Sequence, residues 1–199
     1  MSVSIKNGGN GNVAMVDRDN RLHTFAVSRP VVEESTQQEK SYNINSGLIT
    51  LTSAGESGIL YFKNGEDVDF IINTIVVIMG PSTGGSTSDT THIRVYKNPT
   101  TGTLISGATV ADISSNRDFG SSNTLSSSLS YKGAEATTIT DGSVHIESLV
   151  SPGSRVAFNI GEVLRKGNSI AVSLEPNDST TSMKAMVAII GHLEVDTSD

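Results

Sequence analysis

Apolar and polar residues alternate along much of this chain with a period of two. From Val68 to Ile78 every even position is apolar except Thr74: Val68, Phe70, Ile72, Val76 and Ile78. That period puts these side chains on one face of a strand. The odd positions begin polar (Asp69, Asn73) and turn apolar (Ile75, Val77, Met79), which predicts a far end covered on both faces. The stretch Leu48–Met79, with turn residues near 54–58 and 64–67, therefore reads as the centre of an antiparallel β core. The second face of its far end is expected to be covered by a neighbouring subunit.

The same pattern recurs further on. Thr91–Lys97 alternates, with Ile93 and Val95 on one side and His92, Arg94 and Tyr96 on the other. Val144, Ile146 and Val150 share a face, as do Val156, Phe158 and Ile160. Ile170, Val172 and Leu174 form another set, followed by Met183, Ala185, Val187, Ile189, Leu193 and Val195. The predicted core is Phe70, Ile72, Val76, Ile78, Val156, Phe158, Ile170, Val172, Leu174, Val187 and Ile189. About eight body strands and no helix longer than a turn predict an all-β fold, an antiparallel β-sandwich of jelly-roll type.

Two segments stand apart. Residues 1–40 hold weak strands at Val13–Val16 and Leu22–Val27 and all but the last residue of the fully polar run EESTQQEKS at 33–41. They read as an extended N-terminal arm ahead of a sandwich domain at 41–199, able to add strands to a neighbour's sheet. The arm residues expected to meet a partner are Arg18, Arg21, Leu22, Phe25, Val27 and Arg29. The stretches 80–89 and 116–130, rich in Gly, Ser, Thr and Asn, read as surface loops, and 161–168 reads as a short connection of one helical turn closed by Gly167-Asn168.

Composition narrows the chemistry. The chain has 199 residues, 18% charged and 5% aromatic, with no Cys and no Trp. Disulfides and thiolate metal sites are excluded. No run is long and apolar enough to span a membrane, and a soluble product of the cytosol is expected. Residues 1–40 carry five basic and five acidic side chains, so the whole net charge of −7 belongs to the body. An acidic body lacks the basic stripe that nucleic acid requires. The four histidines, His23, His92, His145 and His192, are scattered; His145 with Glu147 supplies two ligands where a metal needs three or four. Ser86 lies in a Gly/Ser loop without a nucleophile elbow, and Gly84-Gly85 lacks the Lys and helix of a phosphate loop. A sugar-cleft enzyme would bring stacking aromatics that are scarce here. No enzyme activity, cofactor or metal is expected.

Two segments carry a family resemblance. One is GNVAMVDRDNRLHTFAVSRPVVEES leading into YNINSGLITLTSAGESGILYFKN; the other is LRKGNSIAVSLEPNDSTTSMKAMVAIIGHLEV. Together they resemble virion structural proteins of tailed bacteriophages, of the capsid decoration or cement type. The resemblance implies a non-enzymatic homotrimer, made in the host cytoplasm and bound to the outside of the capsid. Its arm would contact the major capsid protein, and it would stabilise the shell by bridging capsomers. The alternative reading is a tail, baseplate or fibre component whose β-sandwich binds a carbohydrate or host receptor through the loops at 80–90 and 115–130.

Overall fold

The computed structural model describes residues 15–16, 22–23, 31–52, 54–83, 90–106, 114–177 and 182–194. The β-capable runs become strands: β1 (Met15–Val16), β2 (Leu22–His23), β3 (Ser41–Asn45), β4 (Ile49–Leu51), β5 (Ser57–Lys63), β6 (Phe70–Met79) and β7 (Thr91–Lys97). They continue with β8 (Ser114–Asn116), β9 (Leu129–Lys132), β10 (Ser143–Val150), β11 (Arg155–Leu164), β12 (Ser169–Pro176) and β13 (Met183–Leu193). Two short helices interrupt them, α1 (Val31–Gln37) and α2 (Thr103–Ser106).

Apart from the β1–β2 pair, the strands form two antiparallel sheets. One runs β10-β7-β12-β5-β9, the other β11-β6-β13-β3-β8, with β4 pairing β13. Successive long strands switch sheets at β5 to β6, β6 to β7, β10 to β11, β11 to β12 and β12 to β13, while β10 lies beside β7. This winding makes the body a jelly-roll sandwich. The inner faces bury Phe62 and Phe70, whose rings meet edge to face at 4.8 Å. Each fully buried side chain of this size contributes about 1.5–3 kcal/mol.

The central strand departs from the simple alternation at Thr74. The register of β6 with β13 slips between Ile190 and Gly191, and that with β11 between Asn159 and Glu162. A one-residue slip turns every later side chain over. Phe70 and Ile72 thus point inward, and beyond Thr74 it is Ile75, Val77 and Met79 that join them. Val76 and Ile78, expected on the same face as Phe70, stand outside the main core cluster on the sheet's outer face. Gly191 makes the slip possible: a Cβ there would fall 2.4 Å from both the Ile71 carbonyl oxygen and the Phe70 ring.

Three other expectations give way. The polar run after Val31 is a helix of two turns, not a connector; α1 has Glu33 and Glu34 in its first turn, where the helix dipole favours anions, and it packs on β3 and β13. Gly161–Leu164 continues β11 against β6 instead of forming a connection. A register slip between Val144 and Ile146 takes Val144 off the inner face and leaves it exposed.

Between β7 and β10 the chain makes an excursion that reaches the opposite side of the sandwich. Its base is closed by Asp141, whose carboxylate accepts hydrogen bonds from the Thr100 hydroxyl and from the Thr100 and Thr101 backbone. Those bonds hold its carboxyl down to about 2. Leu104 then packs on Tyr61 and Ala171 over the outer face of the first sheet, and the Tyr61 and Tyr131 rings stack at 5.5 Å. The excursion ends by adding β8 to β3 and β9 to β5.

Candidate interaction surface

The excursion makes the two lateral edges of the sandwich unlike. On one side β8 and β9 extend the sheets. On the other, β10 and β11 are edge strands, and among the described residues no strand pairs with their outer sides. Inward-pointing residues there have a neighbour on one flank only. Ile146, Val150, Val156, Phe158 and Ile160 consequently pack on the core yet stay half-buried. Val144, Leu149 and Val163 on the same strands are exposed large apolar side chains. Val144 and Leu149 stand on the outer face of the first sheet and Val163 on that of the second, so apolar side chains flank the unpaired edge on both sides and make it a candidate contact site.

At the foot of this edge a small recess, open to solvent, is lined by Ile72, Lys97, His145, Glu162, Val163 and Ile170 among others. His145 Nε2 meets Glu162 Oε1 at 3.0 Å and bridges the two sheets over it. Both are part-exposed, so the pair forms a rim rather than a buried centre. The sequence placed His145 beside Glu147 as possible joint ligands. The structure separates them: Glu147 accepts a hydrogen bond from Arg94 Nε at 3.0 Å.

Below β8 on the opposite edge, residues 116–123 form a loop held by hydrogen bonds. Asn116 Oδ1 accepts from the Asp118 N–H at 2.9 Å, and Asp118 Oδ1 from the Gly120 N–H at 2.9 Å. Ser121 Oγ and Asn123 Nδ2 both donate to Glu39 Oε2, at 2.9 and 2.8 Å. Glu39 itself sits at φ 58°, the left-handed region that L residues enter at a cost, just past α1. Its carbonyl oxygen accepts from Asn116 Nδ2 at 2.6 Å, so the loop fixes the strained residue in place. At the tip of this anchored loop Phe119 is 106% exposed. Leu129 of β9 and Leu48 are also exposed; the Lys132 ammonium of β9 reaches the backbone beside Leu48, 3.3 Å from where a Cβ on Gly47 would stand.

A third feature occupies the outer face of the first sheet. Arg94 ion-pairs with Glu175 at 2.6 Å, Glu147 at 3.0 Å and Glu56 at 3.2 Å, and its Nη2 meets His92 Nδ1 at 3.0 Å. Glu56 also accepts from the Tyr96 hydroxyl at 2.6 Å and the Ser173 hydroxyl at 2.5 Å. Burial alone would lower the Arg94 pKa, but the three carboxylates raise it overall, so its charge is fixed. Burial beside Glu56 pushes the Tyr96 hydroxyl up to about 12. Every group here has a partner, and the network welds β7, β10 and β12 together. Among the described residues no group of three or more His, Asp or Glu is arranged to hold a metal ion.

Of the residues singled out in the sequence, Phe70, Ile72, Ile170, Val172, Leu174, Val187 and Ile189 lie in the main core cluster, and Val156 and Phe158 pack against it from the open edge. Leu22 lies in β2, paired with Val16. Arg18, Arg21, Phe25, Val27 and Arg29 lie outside the described residues, as do Val195 and residues 84–89 of the first loop. Phe119 and Val163 were not singled out. The signal for Phe119 was present, a large aromatic in a Ser- and Asn-rich stretch.

No protein-family model matches the chain, and no curated protein matches it. Among solved structures it is similar to Yersinia pseudotuberculosis-derived mitogen, at 12% identity over 79% of this chain and 92% of that one, with a TM-score of 0.37. It is also similar to the decameric BFDV capsid protein, at 12% identity over 78% and 97% of the two chains, with a TM-score of 0.32. A third is Desmodium yellow mottle tymovirus, at 10% identity over 92% and 100%, with a TM-score of 0.22. Likenesses this distant carry no argument about role, and the fold assignment rests on the strand order.

Proposed function

We propose that this chain is a non-enzymatic structural protein of a virion. In its specific form the reading is a decoration or cement protein on the outer surface of a tailed-phage capsid, bridging neighbouring capsomers. The observation that carries it is the open β10–β11 edge, where Val144, Leu149 and Val163 are exposed beside a half-buried inner face. An edge of this kind gains stability when another protein covers it. The jelly-roll sandwich, a fold common in viral coats, supports the virion setting. So does the resemblance of residues 11–35, 42–64 and 164–195 to phage virion proteins.

The proposed division of labour gives the residues ahead of α1 to the major capsid protein, as an arm adding strands, and the body from α1 onward to contact with other copies in a homotrimer. Stabilisation follows by mass action: a protein that binds the assembled shell and not free subunits adds its binding free energy to the shell. Particles produced with and without this chain provide the test. Those lacking it should assemble but break sooner on heating or at low salt. Equal survival of the two kinds of particle would overturn the reading.

A further inference from the structure

We propose that copies of this chain associate head to tail, Phe119 of one copy entering the recess at the foot of the β10–β11 edge of the next. The proposal takes up the self-association in the structural reading above and gives it a defined contact.

The two features lie on opposite edges of the same sandwich and at one level. Ser41 pairs with His192, His192 with Ile71, and Ile71 with Val163, so the four form one row across the second sheet. The Arg117 N–H donates to the Ser41 carbonyl at 2.8 Å, which sets the start of the Phe119 loop at the end of that row. Val163, at the other end, lines the recess. A rotation about an axis parallel to the strands carries the knob of one copy to the recess of the next without changing its level. Contacts of this heterologous kind close into rings when the rotation permits.

The chemistry matches as well. Phe119 is flanked by Arg117, which is exposed, and Asp118. The recess carries Glu162 of the second sheet and Lys97 of the first on its rim. One cation and one anion on each side allow Arg117 to face Glu162 and Asp118 to face Lys97. Because hydrogen bonds to Glu39 already fix the loop, little freedom is lost when the ring is buried. A rigid exposed aromatic beside an Arg is the composition of an interface hot spot.

Sedimentation velocity on the full chain tests this, with Phe119→Ala, Val163→Lys and their equimolar mixture. Both substitutions are at exposed positions, and unchanged thermal midpoints verify folding. The wild type should associate with rising concentration, and each variant alone should associate at least about tenfold more weakly. The mixture should recover a dimer and nothing larger, because one variant keeps only the recess and the other only the knob. A wild type that stays monomeric, a Phe119→Ala variant that associates like the wild type, or a mixture that forms no dimer would each overturn the proposal. A monomer that still protects capsids would leave the virion reading standing, and a ring that never joins a particle would remove that reading alone.

Discussion

Asn64→Ala should be among the most damaging single substitutions in this protein. Asn64 is fully buried at the turn from β5 to β6. Its Nδ2 donates to the Leu164 carbonyl at 2.8 Å and the Val68 carbonyl at 3.0 Å, while its Oδ1 accepts from the Glu66 N–H at 3.0 Å. Alanine removes all three bonds and supplies no substitute. The buried Leu164 carbonyl left without a donor costs about 1–3 kcal/mol, while the part-buried Val68 carbonyl and Glu66 N–H recover water and cost about 0.5–1.5 kcal/mol each for the bond lost. The expected loss is about 3–5 kcal/mol, at least about a fifth of the roughly 5–15 kcal/mol that a domain possesses. Urea denaturation with an unchanged m-value would report it, and at about 2–4 °C per kcal/mol a thermal scan should fall by about 6–20 °C. Asn64→Asp keeps the acceptor for Glu66, loses both donors and buries a charge, so it should be no better than alanine. Hydrogen exchange should speed up at Val163 and Leu164, the strand end that Asn64 ties down beside the recess. A loss below about 1 kcal/mol would show that water or a shifted turn satisfies these carbonyls, and the accounting would be wrong.

Two further substitutions probe charge. Arg94→Met should cost about 2 kcal/mol, less than a buried hub would, because Glu147 is 55% and Glu175 36% exposed. The carboxylates it leaves behind repel one another, so the gap to wild type should narrow in high salt; a gap indifferent to salt would refute the electrostatic account. His192 is buried, and its desolvation lowers its pKa from 6.5, with Glu194 acting weakly the other way. The unfolded chain therefore binds a proton that the folded chain resists, and stability is lost as pH falls below about 6.5 toward the folded value. Denaturant midpoints measured from pH 7 to 5 should fall more for the wild type than for His192→Gln, and parallel curves would sink the assignment.

The two-sheet architecture was legible because burial of one face imposes a period of two on each strand. What escaped was phase. Thr74 reads as one more polar residue in an apolar run, and only its partners Ile190 and Asn159 reveal that the register slips there and turns Val76 and Ile78 outward. Val144 was misplaced for the same reason, since its slip is a property of β10 and β7 jointly. Helix α1 escaped because seven residues without an apolar stripe are too short to be stable alone. Its position follows from packing on β3 and β13, strands that come later in the chain. The Phe119 loop is held by Glu39 from 82 and 84 residues away, a distance at which local pattern says nothing.

The form of the open edge bears on what it accepts. A flat unpaired edge invites another strand, and natural sheets blunt such edges with bulges and charges. β10 carries a slip between Val144 and Ile146, and β11 one between Asn159 and Glu162. Both slips lie toward the foot of the edge, where His145 and Glu162 bridge the sheets. Continuous pairing is therefore spoiled at the same level as the recess, while Val163 remains exposed. A surface that is apolar but irregular favours an inserted side chain over an added strand. The longest stretches in unbroken register are Arg155–Asn159 with β6 and Ile146–Val150 with β7, so strand addition by a neighbour's arm, if it uses this edge, has those two stretches to pair with. The two modes of contact thus occupy different parts of one edge: a side chain at the foot and, at most, a short strand above it.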